Sequence, residues 1–129
     1  MNADERRGEL DSLTETVLGA VFEVSNTLGT GFLEKVYEQA LMRELQLRSI
    51  PAESQVTFSV VYKDRHVGDD CADIVVAGAV VVELKCANRL TNDHVAQCLN
   101  YLRASRLSVC LLVNFQEPKV EWKRLVLNF

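Results

Sequence analysis

The chain is poor in the residues that break or staple a fold: among 129 residues there are two prolines, six glycines, one tryptophan and four cysteines. So little Pro and Gly leaves no material for a long linker or a low-complexity segment, and no fixed period marks a repeat array. Cys71, Cys86, Cys98 and Cys110 stand far apart with no C-x-x-C pair, which sets aside a zinc ribbon or a disulfide framework. They read as reduced thiols, three of them beside or among apolar residues, in a cytoplasmic protein. No eighteen-residue apolar run offers a membrane span, and the polar stretch from Met1 to Asp11 lacks the apolar core of a secretory signal. Basic residues are not in excess either. Lys and Arg number 14 against 18 Asp and Glu, a net charge of −4, so any contact with phosphate must come from a local site.

What the chain does have is a large apolar share, 48%, with 25% charged residues, in a length that suits one domain. One continuous domain over residues 1–129 is expected, with residues 1–8 a flexible lead. Leu10, Leu13, Val17, Ala20, Val21, Val24 and Leu28 step by three and four, the stripe of an amphipathic helix. That stripe is long enough to pack on its own sheet or against a second copy of the chain. After Gly29-Thr30-Gly31 a second stripe from Leu33 to Leu45 predicts a helix ending near Arg48, before Pro51.

From Gln55 to Tyr62 the period changes to two, a strand. Lys63-Asp64-Arg65-His66 supplies polar turn residues, and Val67–Val76 and Ala79–Lys85 read as two more strands around Gly78. Thr91 is a cap for a helix over Asn92–Ser105, with Val95, Cys98, Leu99 and Leu102 buried. Leu107–Phe115 reads as a strand buried on both faces, and Val120–Leu127 as a last one. A helix between two strands permits a crossover, so the order ααβββαββ predicts an α/β chain with a mixed sheet flanked by helices.

The chemistry concentrates around Gly78. Asp73 lies within an apolar run, and Glu83 and Lys85, two apart in Val81-Val-Glu-Leu-Lys85, share one strand face. A turn centred on Gly78 pairs 76 with 80, 75 with 81, 74 with 82 and 73 with 83. Asp73 and Glu83 would then oppose each other at roughly 4.5–5.5 Å between Cβ atoms, and a one-residue slip would put them on opposite faces. Opposed carboxylates call for a cation between them, which either Lys85 or a divalent ion can supply. Two carboxylates with waters suit Mg²⁺ and a phosphate-bearing substrate. The other course open to these residues is an edge ion pair of Glu83 with Lys85 and a turn role for Asp73.

His94, Gln97 and Tyr101 fall on one stripe of the third helix, beside its apolar stripe, and Gln97 and Tyr101 offer neutral hydrogen-bonding groups. Arg89, Arg103 and Arg106 can add local positive charge. Asp64, Asp69 and Asp70 lack the spacing of a calcium loop and read, with His66, as a solvated turn. Trp122 and Phe115 read as core or rim, and Gly29-x-Gly31 follows a helix, so it is no dinucleotide loop.

Gly31-Phe-Leu-Glu34-Lys-Val-Tyr37 resembles the signature of the GxxExxY family. The similarity extends from about Val17 to Leu127 through Ala72-Asp73, Val82-Glu-Leu-Lys85, Gln97-x-x-x-Tyr101 and Asn114-Phe115. That family is a compact branch of the PD-(D/E)XK nuclease superfamily, and Gln97-x-x-x-Tyr101 is similar to an element of RecB-type nucleases. The resemblance implies a restriction-endonuclease-like αβββαβ core, here with an extra helix in front and a strand behind. It also implies Asp73 and Glu83 as metal ligands, Lys85 as the catalytic lysine, and Glu34, Gln97 and Tyr101 as further site residues. Mg²⁺ or Mn²⁺ would be the cofactor and nucleic acid, DNA ahead of RNA, the substrate, with a homodimer as one possible assembly. Glu23 is a lesser candidate. The family pattern has a histidine shortly after the Glu-Val of the first helix, where this chain has Ser25 after Glu23-Val24. The implied activity is phosphodiester hydrolysis; the alternative is a nuclease-fold module that binds nucleic acid or a protein partner without cutting.

Overall fold

In the computed structural model, which describes residues 2–128, three helices enclose a five-stranded sheet. Met1, part of the expected flexible lead, and Phe129 lie outside the described residues. The elements are α1 (Ala3–Leu28), α2 (Glu34–Leu47), β1 (Ala52–Tyr62), β2 (Arg65–Val76), β3 (Val80–Lys85), α3 (Asn92–Ser105), β4 (Val109–Asn114) and β5 (Glu121–Val126). Strand order follows chain order, and every neighbouring pair is antiparallel except β3 and β4, which α3 joins as a parallel crossover. This is the expected mixed sheet and element order, an α+β fold.

The sheet divides two cores. Val17, Ala20, Val21 and Val24 of α1 and Tyr37, Leu41 and Leu45 of α2 pack on Ile74, Val76, Val80, Val82 and Leu84. On the other face Cys98, Tyr101 and Leu102 of α3 pack on Val75, Val81, Cys110 and Leu112. The apolar stripe of α1 thus packs on the chain's own sheet, with Leu10, Leu13 and Leu28 only partly buried. β4 is buried along its whole length, as a strand covered by helices on both faces must be. No helix among the described residues is long and apolar enough to cross a membrane.

Boundaries differ from expectation where a local cap or turn outranks hydrophobic period. α1 begins at Ala3, because Asn2 Oδ1 accepts the Glu5 N–H at 2.8 Å and Asp4 and Glu5 suit a helix N-terminus. Residues 3–8, expected as a flexible lead, are helical and exposed. The first hairpin turn is only Lys63-Asp64, both with positive φ (47° and 66°), so Arg65 and His66, expected in the turn, are in β2.

The segment between α1 and α2 is held by one phenol. Tyr37 is fully buried, its hydroxyl donates to the Gly29 carbonyl at 2.6 Å and accepts from Phe32 N–H at 3.4 Å, and its ring stacks on Phe115 with centroids 4.6 Å apart. Gly29 and Gly31, with φ of 73° and 100°, provide the bends. Tyr37→Phe keeps the ring stack but removes the hydroxyl that ties the Gly29 carbonyl, in the exposed loop, to the core, and a loss of about 1 kcal/mol in denaturant unfolding is expected.

Candidate active site

The hairpin register is the one a turn centred on Gly78 requires: Val76 pairs with Val80, Val75 with Val81 and Ile74 with Val82. Ala77 and Gly78, at φ of 53° and 61°, make the turn. At Asp73 the backbone ladder stops and the side chain takes over, its Oδ2 accepting the Leu84 N–H at 2.8 Å. On the β1 side the pairing also skips this point, passing from Ser54↔Ile74 to Val56↔Ala72, with Gln55 at φ 55° opposite Asp73. That local break turns Ala72 toward the α3 core, although Ile74, two residues on, faces the α1–α2 core.

Glu83, two residues from Val81 on the α3 face, is 3% exposed. Its carboxyl lies close enough to that of Asp73 for a hydrogen bond between them. Burial, that hydrogen bond and the charge of Asp73 push it up to about 10, against the opposing pull of Lys85. Oε2 of Glu83 is enclosed without a hydrogen-bond partner. Tyr101, equally buried, sits against Glu83, and its phenol is raised by burial and by the charges of Glu83 and Asp70.

Lys85, half-buried at the end of β3, donates through Nζ to Gln97 Oε1 at 2.8 Å. Gln97 and Tyr101 are one helical turn apart, so α3 brings one to the amine and the other to the carboxyl. Glu34, the first residue of α2, lies within electrostatic reach of Lys85, Asp73, His94 and Glu38. Desolvation raises its carboxyl, Lys85 pulls it down, and Asp73 adds to the rise. Six residues singled out in sequence, Asp73, Glu83, Lys85, Gln97, Tyr101 and Glu34, therefore converge from β2, β3, α3 and α2.

Others make no side-chain hydrogen bond to them, although the charges of His94 and Asp70 reach Glu34 and Tyr101. Glu23 is exposed on α1 and accepts only from Thr27, at 3.4 Å. His66 pairs with Asp69 at 2.7 Å on the exposed hairpin, and Asp70 caps its own neighbour, Cys71 N–H, at 3.1 Å. His94 is the far member of the α3 capping box: its Nδ1 accepts from Thr91 N–H while Thr91 Oγ1 accepts from His94 N–H. Phe115 is core, and Trp122 is 42% exposed on β5. A cavity of about 870 Å³ opens at the other end of β3, beside Ala77, Gly78, Arg106 and Arg124, and contains none of the converging residues.

Two supports went unread in the sequence. Glu38, one turn after Glu34, is 3% exposed and accepts from Lys35 Nζ at 2.7 Å and from Gln55 Nε2, tying α2 to the break opposite Asp73. Its helical phase, adjoining Tyr37 on the inward side, was the available signal. Asn114, 1% exposed on β4, holds the loop that follows Lys85.

The donor set fits a hard divalent ion. Two acidic groups forced together, one with a buried oxygen lacking any partner, and a neutral amide and phenol around them are what an oxygen-ligated cation requires, with waters completing the shell. No group of three or more His, Cys, Asp or Glu side chains is assembled for a metal among the described residues.

A family model described as the PD-(D/E)XK nuclease superfamily matches residues 11–125. Among solved structures, SSO0001 superposes with a TM-score of 0.60 at 16% identity, covering 74% of this chain and 50% of that one. An alkaline exonuclease (LHK-Exo) from Laribacter hongkongensis gives a TM-score of 0.50 at 12% identity, covering 73% of this chain and 56% of that one. The chain spans about half the length of these structures, and at such identities the likeness concerns the fold. No curated protein matches it.

Proposed function

The chain belongs to the PD-(D/E)XK nuclease superfamily, and from that membership we propose that it is a divalent-metal-dependent nuclease of the GxxExxY branch that hydrolyses phosphodiester bonds of DNA or RNA. The observation that carries this reading is the forced proximity of Asp73 and Glu83 beside the Lys85 amine, with Glu83 Oε2 lacking a partner. Asp73 and Glu83 would hold Mg²⁺ or Mn²⁺. Bound there, the ion would supply positive charge for the phosphoryl oxygens and lower the pKa of an attacking water. Lys85, held against Gln97 Oε1, would orient that water and stabilise by its positive charge the hydroxide the water becomes. Tyr101 holds the Glu83 carboxyl from the α3 side, and Glu34 adds an acidic oxygen at the rim.

The test is metal binding by calorimetry on Asp73→Asn. Asparagine keeps an oxygen for the Leu84 N–H, so the hairpin should persist with unchanged circular dichroism. Saturable Mn²⁺ binding should weaken at least about tenfold. Nucleic-acid binding indifferent to Mn²⁺ in the parent chain, with no binding of the ion to lose, would instead support a nuclease-fold module that does not cut. Ser25, where the family pattern has a histidine, favours that second reading.

A further inference from the structure

β3 and β4 run parallel until Lys85 pairs with Asn114, after which the chain leaves the sheet for the loop 86–91 and α3. A departing strand loses its ladder partners, and its direction is set only by what grips the first residues beyond it. Here the last backbone bond is Phe115 N–H to the Lys85 carbonyl, at 2.9 Å. The next pair is made by a side chain. Asn114 Nδ2 donates to the Ala87 carbonyl at 2.8 Å and Asn114 Oδ1 accepts the Ala87 N–H at 3.0 Å, so one amide plane stands in for a missing strand residue.

Glu121 continues the grip. It pairs with Asn114 across β4 and β5, and its Oε1 accepts from Asn114 Nδ2 at 3.2 Å and from Leu90 N–H at 2.9 Å. Leu90 immediately precedes Thr91, the cap of α3. Two side chains on the far strands thus fix the loop at both ends, just after Lys85 and just before the helix that carries Gln97 and Tyr101. Asn114 is 1% exposed, and its Oδ1 also accepts Gln116 N–H at 3.2 Å, leaving it no freedom to rotate without breaking several bonds.

We propose that Asn114 and Glu121 form a clamp on the β3–α3 loop, positioning residues that set the Lys85 amine against Gln97 for the reaction without touching substrate or metal. This assignment rests on the nuclease reading for its catalytic consequence, though not for the clamp itself. The variants are Asn114→Ala, Glu121→Ala and Glu121→Gln in the full chain. Amide hydrogen exchange, the Gln97 side-chain amide signal in NMR, Mn²⁺ affinity, and kcat and KM on an oligonucleotide provide the readouts.

Asn114→Ala and Glu121→Ala should speed exchange at Ala87 and Leu90 at least tenfold and shift the Gln97 signal, with the β2–β3 ladder unaffected. Their kcat should fall at least tenfold, with KM and Mn²⁺ affinity within about threefold. Glu121→Gln, which keeps one acceptor oxygen, should stay near the parent in all of them. Since Asn114→Ala removes a fully buried amide, the half-buried Glu121 pair of variants decides the matter if that protein does not fold. Exchange that accelerates equally across the whole sheet, or loop exchange that rises with kcat unchanged, would overturn the proposal. A parent chain that cleaves nothing defeats the nuclease reading; the clamp is then upheld or rejected by whether loop exchange and the Gln97 signal change together.

Discussion

Lys85→Ala is expected to lower Mg²⁺-supported phosphodiester cleavage by at least about 10²-fold in kcat while leaving the fold intact. Lys85 is half-buried, and its amine donates to Gln97 Oε1, an acceptor that water can satisfy once the amine is gone. The chemical loss is larger than the structural one. Lys85 is the cation whose pull opposes the rise of both Glu83 and Glu34, and its removal leaves the acids Asp73, Glu83 and Glu34 without that pull. Rates should therefore be measured at saturating Mg²⁺, so that a change in metal affinity is not mistaken for one in chemistry. An unchanged kcat would remove Lys85 from the reaction.

Glu83→Gln should abolish cleavage as well, and it should also change how metal-free stability depends on pH. The folded chain keeps Glu83 protonated up to about 10, whereas the ordinary value is 4.5. Between these pH values the folded state holds a proton that the unfolded state has released. Stability is fully present below the lower value and is lost as pH rises, with a slope approaching about 1.4 kcal/mol per pH unit. Glutamine resembles the protonated acid and has no such slope. In thermal melts with chelator, Glu83→Gln should therefore match the parent near pH 5 and melt several degrees higher at pH 8. Mg²⁺ should narrow the gap, since a bound cation favours the ionised acid, and its affinity should climb with pH across the same window. A variant that is no more stable than the parent at pH 8 would contradict the assignment of Glu83 as a forced, protonated acid.

Much of this site was legible before any coordinates. The spacing of Asp73, Gly78, Glu83 and Lys85 specifies a register because a side chain in a strand can face only two ways. The observed pairs Val76↔Val80 and Ile74↔Val82 follow from it. The stripe of Gln97 and Tyr101 had to face the sheet once Cys98 and Leu102 were buried, because helical phase leaves no other choice. What stayed hidden depends on contacts between distant segments. Gln55 reads as an ordinary strand residue, yet its left-handed backbone and its bond to Glu38 make the break opposite Asp73. Asn114 lies inside an apolar strand, where sequence gives no hint that its amide replaces a ladder pair. The start of α1 was missed because its polar residues carry no hydrophobic period, and only the Asn2 cap explains it.

The central claim is that Asp73 and Glu83 share a divalent ion beside Lys85. It is tested most directly by a crystal of the full chain soaked with Mn²⁺ and recorded at a wavelength that gives manganese anomalous signal. A peak within bonding distance of one oxygen from each carboxyl is the expected result. A map with no peak between the two acids, at Mn²⁺ concentrations that saturate binding in solution, would contradict it.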